Sequence, residues 1–549
     1  MTKKYKAICV VVFSALTITW MLDSKSQAIE TKLPQYQNII GCLSAVQSGS
    51  RSTSIRKLAW ENLVYFNSEI IGFNPSFRGG NSSKPGSFTR LSYRAYLDSF
   101  PVGALRFPPG TYANYYDWDS MTLDAHLVDE SPLLSMHKSI DQQKIDNSGF
   151  LIRSDYREFL SLVKDEGIQP FIILNPYLRS IEYNQQVIET IKHIYPGRIY
   201  WEMGNEISQK QYQEISPDGN WGWVSYLYKA QRLSKYIRSK YSDDRIGFVA
   251  AEPLVPRGHI NVPENITNYE LGWNSYLNHS EVDFDAAIFH PYINIYDKAT
   301  TLEVGNLRNN SNCHSLIDAD LERMAKFKWV FSSAQHVPRQ YAAYVQKYFP
   351  NKDVWISEVG LIGGKKGSVL GFGAEDPART IFNIMYFAYW VRDVPGLRTY
   401  QVHLLANGRG LMSIMYPDSS LNSNSISFLL LNKLFYGADK FGVVELESNT
   451  AFYGSGVYSS DQIKPVVAVL SNGASRKAIV LNLSFEEVNI TLPFKEAKVL
   501  QFDAETMNLT EGNYFKLEQV LQSGDITNGR LQVPSLGLTY VEEYIEAYQ

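Results

Sequence analysis

The sequence predicts an α/β fold: a (β/α)8 TIM barrel followed by a C-terminal antiparallel β-sandwich domain. Three observations carry this. Between residues 69 and 404 eight short apolar runs recur, with helical patterns between most of them, as in parallel strands joined by crossover helices. Past about residue 430 short strand-like runs follow one another across turn residues, the texture of a sandwich. After the first run the chain reads Asn74-Pro75-Ser76-Phe77-Arg78-Gly79-Gly80. It lacks the glycine spacing of an open dinucleotide-binding sheet, and no Walker A sequence occurs.

The N-terminus has the layout of a signal peptide, residues 1–28. Lys3, Lys4 and Lys6 precede an apolar run from Ala7 to Leu22, and Ser26-Gln27-Ala28 forms a small-x-small cleavage site. Thr17 and Thr19 interrupt the run, which is shorter than the ~20 residues that span a bilayer. No integral membrane span is expected after cleavage, and the mature protein is expected to be secreted, periplasmic or extracellular. Residues 29–66 are mixed and polar, with a possible helix near 55–65, and are candidates to join the sandwich. The barrel is assigned to residues 67–430 and the sandwich to 431–549. The chain of 549 residues exceeds the roughly 250–300 residues of a single core.

The eight strands are expected at Glu69–Phe73, Gly103–Phe107, Gln169–Asn175, Arg198–Met203, Arg245–Ala251, Phe284–Phe289, Val354–Ser357 and Thr399–Leu404. Asp155–Asp165 puts Phe159, Leu160 and Val163 on one helical face, with Ser154 as the expected N-cap. Asn184–Ile194 and Val224–Tyr241 are also amphipathic. Leu316–Phe327 and Arg339–Tyr348 are expected as two helices before strand seven, and Pro377–Val391 as one before strand eight.

Composition narrows the function. A net charge of −4 gives no reason to expect nucleic acid as a partner. Of the three cysteines, Cys9 leaves with the signal; a Cys42–Cys313 bridge is not expected, and no Cys/His cluster has zinc spacing. Seven Asn-x-Ser/Thr sequons occur, Asn482 among them.

In a parallel barrel the carboxyl ends of the strands build the active site. Strand four ends in Gly204-Asn205-Glu206 and strand seven in Ser357-Glu358. Arg106 lies near the end of strand two, Asn175 at strand three, His290 and Tyr292 after strand six, and His403 on strand eight. Glu252 follows strand five as a wall or substrate-binding residue, and Glu202 reads as structural or wall-lining. Two carboxylates with no activated Ser or Cys and no His-Glu-x-x-His metal motif suit glycoside hydrolysis, which needs a general acid and a second carboxylate. Glu206 and Glu358 are the catalytic candidates. Asn205, Arg106, Asn175, His290, Tyr292 and His403 are candidates for contact with substrate or with a catalytic Glu. An Arg facing Glu358 would keep it ionised. No metal or organic cofactor is expected, and the expected partner is a carbohydrate.

The strand-four Gly-Asn-Glu and strand-seven Glu, in a barrel followed by a sandwich, resemble the clan A glycoside hydrolases. Leu105-Arg106-Phe107-Pro108-Pro109-Gly110-Thr111 resembles the Leu-Arg-x-Pro-Gly-Gly segment of the α-L-arabinofuranosidase and heparanase/β-glucuronidase branches. The resemblance implies a retaining enzyme with Glu206 as acid/base and Glu358 as nucleophile. It also implies Asn205 on the sugar 2-hydroxyl, Arg106 supporting the nucleophile and Tyr292 in the aromatic position after strand six. Two departures stand out: Pro109 replaces a Gly, and His403 stands where a strand-eight Trp is common. A secreted, catalytically inactive carbohydrate-binding barrel is the alternative, and a metal-dependent hydrolase a third reading.

Overall fold

A computed structural model of the chain describes most of residues 52–75, 102–127, 153–208, 223–252, 268–294, 318–362, 377–403, 423–503 and 522–543, with a few positions between them. The signal segment and all three cysteines lie outside the described residues.

The eight barrel strands are Ile71–Asn74, Ala104–Phe107, Gln169–Leu174, Tyr200–Met203, Arg245–Val249, Ala286–Phe289, Asp353–Val359 and Leu397–His403. Each coincides with one of the eight apolar runs. They pair in parallel, in chain order, into a closed barrel. Closure comes from strand eight beside strand one, with Tyr400 opposite Ile71 and His403 opposite Asn74.

The amino-terminal half of the barrel is filled by an apolar plug of Ala104, Phe171, Ala286, Ile288 and Trp355, with Tyr200 against it. Tyr200 stacks on Trp355 at 5.1 Å, and Phe171 meets the same indole edge-on. Gly247 makes room for it, since a Cβ there would lie 2.5 Å from two indole carbons. With its base plugged, the barrel can build a site only toward its carboxyl end.

The helices follow the expected pattern with three differences. The helix Tyr156–Asp165 is capped by Asp155, whose carboxylate accepts from Arg157 N; Ser154 is buried instead. The two helices expected before strand seven are one helix of 31 residues, Asp318–Tyr348, with Pro338 inside it. Burial along this helix outweighs the local cost of the proline, since Trp329, Phe331, Val337 and Tyr341 are all fully buried. Two further helices, Asn268–His279 and Ser423–Phe435, were not anticipated, and the second spans residue 430.

The C-terminal strands form a seven-stranded and a three-stranded sheet, with Phe452–Tyr453 and Gln462–Ile463 as a separate pair. Their pairings are antiparallel, except that Ser52–Ser54 lies parallel to Val488–Thr491. Val64–Tyr65 adds an edge strand to the larger sheet beside Ala438–Leu446. Gln522–Ile526 closes its other edge. Val466–Gly473 is buried over its first six residues because both of its faces are covered. Val466, Ala468 and Leu470 face the core shared with Ile490, Leu531 and Val533. Val467 and Val469 belong to the barrel's core with Phe387, Phe435 and Phe441. This is the logic of a doubly covered strand, and it makes barrel and sandwich share one apolar core. Glu445 completes the joint by accepting from Arg339, Arg392 and Tyr389. The sequon at Asn482 is fully buried, its amide donating to Val533 O and Pro534 O, so the folded chain does not offer it for glycosylation.

Among the described residues no helix is long and apolar enough to cross a membrane.

Candidate active site

Strand seven sets the geometry. Its pairing with strand eight is regular at Ile356–Tyr400 and resumes at Val359–Val402, with one extra residue between. That bulge falls on Ser357 and Glu358. In a regular strand neighbouring side chains point to opposite faces; a bulge re-aims one of them. Both residues therefore reach the same group of side chains.

Glu206 is placed by a second local feature. Gly204 turns the chain out of strand four at φ 96°, and Glu206 itself sits in the left-handed region at φ 53°. Such a backbone costs of order 1–3 kcal/mol for a non-glycine residue and clusters at functional sites. It leaves the Glu206 carboxylate partly exposed beside His290, with Oε1 3.1 Å from Nδ1.

Arg106 is the hub. It is fully buried, and its guanidinium donates four hydrogen bonds. Nε donates to Glu202 Oε2 at 2.9 Å, and Nη2 lies 2.8 Å from the same oxygen. Nη2 also donates to Asn205 Oδ1 at 2.9 Å. Nη1 donates to Asn74 Oδ1 at 3.1 Å and to Glu358 Oε1 at 2.5 Å. Tyr292 donates to the other oxygen of Glu358 at 2.6 Å. His403 Nδ1 stands 3.5 Å from that oxygen, beyond a good hydrogen bond, with its ring edge-on to Tyr292.

These neighbours fix the charges. Burial pushes the Glu358 carboxyl up, but His290, His403, Arg106 and the Tyr292 hydroxyl outweigh it and hold it at about 2. Glu358 is thus ionised at neutral pH. Burial pulls His290 down, yet the charges of Glu358 and Glu206 leave it raised overall. Burial keeps His403 below its ordinary value, so it is neutral at pH 7 and adds charge only in acid. Tyr292 is pushed well up by burial and by Glu358, so it remains a donor.

The structure brings Glu206, Glu358, Asn205, Arg106, His290, Tyr292 and His403 into one cluster. Asn175 is different. Its Nδ2 donates to Asn114 O and its Oδ1 accepts from Leu178 N, so both ends of its amide are committed to backbone. Asn114 in turn donates to Asn205 O. Asn175 therefore braces the loop behind Asn205. Glu252 likewise holds the fold: it accepts from the backbone N–H of His290 and from Tyr341 Oη.

Sequence reading missed Asn74, Asn114 and Ser357. Asn74 carries Arg106 and donates to Ser357 O at 2.7 Å. It is the last residue of strand one, so a complete survey of strand ends would have found it. Nothing local marks Asn114. Ser357 immediately precedes Glu358, and alternation assigns it to the other face; only the bulge brings it in.

One ligand atom from each of Glu206, His290 and Glu358 lies within 4.8 Å of the others. Both oxygens of Glu358 already accept from Arg106 and Tyr292, and a cation there would sit against the guanidinium. At the opposite end of the barrel, Gln169, Tyr195, Arg198, Ser242, Asp243 and Arg245 line an open polar hollow of about 590 Å³. The plug separates it from this cluster.

No family model matches the chain, and no curated protein matches it by sequence. Solved structures do match. The α-L-arabinofuranosidase of Thermotoga maritima, solved with arabinose, aligns with TM-score 0.56 at 13% identity over 89% of this chain and 97% of its own. A family 51 α-L-arabinofuranosidase from Bifidobacterium longum gives 0.57 at 10% identity, covering 91% and 100%. A family 44 xyloglucanase from Paenibacillus polymyxa gives 0.51 at 12%, covering 88% and 98%. The chain shares the fold of these clan A glycoside hydrolases, barrel and sandwich together.

Proposed function

We propose that the protein is a retaining glycoside hydrolase acting on a carbohydrate, with Glu358 as nucleophile and Glu206 as acid/base. One observation carries the reading: a carboxylate oxygen of Glu206 and one of Glu358 lie within 4.8 Å of each other. A retaining mechanism uses carboxyl groups about 5–5.5 Å apart, whereas an inverting one needs roughly 6.5–9.5 Å to admit a water. Glu358 is buried against a cation and held ionised, as a nucleophile must be. Glu206 Oε1 lies within hydrogen-bond distance of His290 Nδ1, a titratable neighbour that suits a group which must both give and take a proton.

In the first step Glu206 donates its proton to the glycosidic oxygen. That oxygen leaves with the bond's electron pair while Glu358 Oε2 bonds to the anomeric carbon. In the second, Glu206 takes a proton from water, and the water oxygen displaces Glu358 on the face the leaving group occupied. Two inversions leave the configuration retained. Asn205 Nδ2 is buried and has no protein partner among the described residues, which suits it to a sugar hydroxyl beside the reacting carbon. On the same reading residues 1–28 export the protein, residues 67–430 carry the chemistry and residues 431–549 form the accessory domain.

The test is chemical rescue. On activated aryl glycosides Glu358→Gly should lose roughly 10⁴-fold or more in kcat/KM, about 5 kcal/mol or more. Azide should restore turnover with the glycosyl azide inverted. Glu206→Ala should spare substrates with good leaving groups. Full activity in Glu358→Gly, or a wild-type protein that binds glycans without cleaving any, would overturn the assignment.

A further inference from the structure

Glu202 is not one of the two reacting carboxylates, yet it stands at the root of the contacts leading to both. It is fully buried on strand four. Its Oε2 receives the Nε edge of Arg106 and also the hydroxyl of Ser357, at 3.3 Å. From there two branches run upward.

The first branch is Arg106. Its guanidinium donates four hydrogen bonds, to Glu202, Asn205, Asn74 and Glu358, and Nη2 also lies in ion-pair contact with Glu202. Turning the guanidinium would break a contact, so the grip of Glu202 on the Nε edge decides where Nη1 meets Glu358.

The second branch passes through Ser357 and His290. Ser357 Oγ is 3.0 Å from His290 Nε2, and His290 Nδ1 is 3.1 Å from Glu206 Oε1. Counting donors gives the directions. An ionised Glu202 can only accept, so Ser357 donates to it. The Ser357 oxygen must then accept from His290 Nε2–H. That leaves Nδ1 facing Glu206 with one proton between them, held by the carboxyl or by the imidazolium.

We propose that Glu202 is a positioning residue for both reacting carboxylates. Through Arg106 it aligns the cation on Glu358, and through Ser357 it fixes neutral His290 as the Nε2–H tautomer so that the shared proton faces Glu206. The kinetic consequences rest on the glycosidase reading above; the tautomer does not. Among the described residues, the charged and titratable groups around the two branches include Glu202, Arg106, Glu358, Glu206, His290, Tyr292 and His403, with Glu252 on the His290 backbone N–H and Tyr226 near Glu202.

Three variants test this. Glu202→Gln keeps the side chain's size and removes its charge. It should lower kcat/KM on the order of 10- to 100-fold, as loss of an outer supporting group does, with most of the loss in kcat. Both limbs of the pH–rate profile should move to lower pH, because a negative charge beside both branches is gone. Ser357→Ala cuts the second branch only and should move the basic limb alone. Glu202→Asp should restore part of the rate. A residue that merely stabilised the fold would reduce thermal stability and leave the pH profile of the folded enzyme unmoved; unshifted profiles in both Glu202→Gln and Ser357→Ala would overturn the proposal. Imidazole nitrogen chemical shifts of His290, assigned by difference against His290→Gln, give a readout free of turnover. The neutral ring should carry its proton on Nε2 in the wild type and lose that preference in Ser357→Ala. An Nδ1–H ring in the wild type refutes the proposal even if the protein hydrolyses nothing. If Glu202→Gln does not fold, the Ser357→Ala profile and the tautomer still decide.

Discussion

Replacing Arg106 by Met tests the charge arrangement most directly. The side chain is fully buried, and Met retains much of its length without its charge. The change strips Glu202 and Glu358 of their shared cation and takes away the donor to Oδ1 of Asn74 and of Asn205. Removing one partner of a buried ion pair costs about 3–5 kcal/mol. Glu358 can limit its own share by taking up a proton, so the total should stay near 4 kcal/mol. Unfolding entropy is about 2.1 cal/mol/K per residue. For 549 residues melting as one unit, as the shared core implies, 4 kcal/mol lowers Tm by about 3–4 °C. The pH dependence has a definite sign. The folded-state value of Glu358 is depressed from 4.5 to about 2. Its stabilisation is therefore present above pH 4.5 and lost as pH falls through 2. The gap between wild type and Arg106→Met should be largest at neutral pH and narrow toward pH 2. Calorimetry across that range measures it. A variant within about 1 kcal/mol of wild type at pH 7, or a gap that widens in acid, would refute the reasoning.

Other expectations follow from single contacts. Tyr292→Phe removes the donor on Glu358 Oε2; a hydrogen bond to a charged group contributes about 1.5–3 kcal/mol, so kcat/KM should fall at least 10-fold and the acidic limb of the pH–rate profile should rise. Gly247→Ala drives a methyl into the Trp355 ring and should cost about 1–3 kcal/mol by overpacking, read by urea denaturation, with little change in the pH optimum. Glu445→Gln weakens the joint with Arg339 and Arg392; because these groups are only half-buried, the cost should be about 1 kcal/mol, and limited proteolysis should show faster cleavage between barrel and sandwich.

What the sequence determined by itself was the alternation of strand and helix and the position of each strand's carboxyl end. Both are local: a strand is written in a few consecutive apolar residues, and Gly204-Asn205-Glu206 marks its own exit. Eight strands, the closed barrel and the proximity of Arg106, Glu206, His290, Tyr292 and Glu358 follow from that reading plus the geometry of a parallel barrel. What it could not supply were features set by distant partners. Asn74 and Ser357 meet across 283 positions. Asn175 reads as a substrate contact and Glu252 as a wall or substrate-binding residue until their partners, Asn114 and the His290 backbone, are in place. The helix expected to break near Pro338 runs through it because tertiary burial overrides a local penalty. The bulge at Ser357–Glu358 exists only as a mismatch between two strands, so no single strand's sequence records it. That mismatch turns two neighbouring side chains into the same site, and it decides that Ser357 joins Glu202 to His290 while Glu358 faces Arg106 and Tyr292.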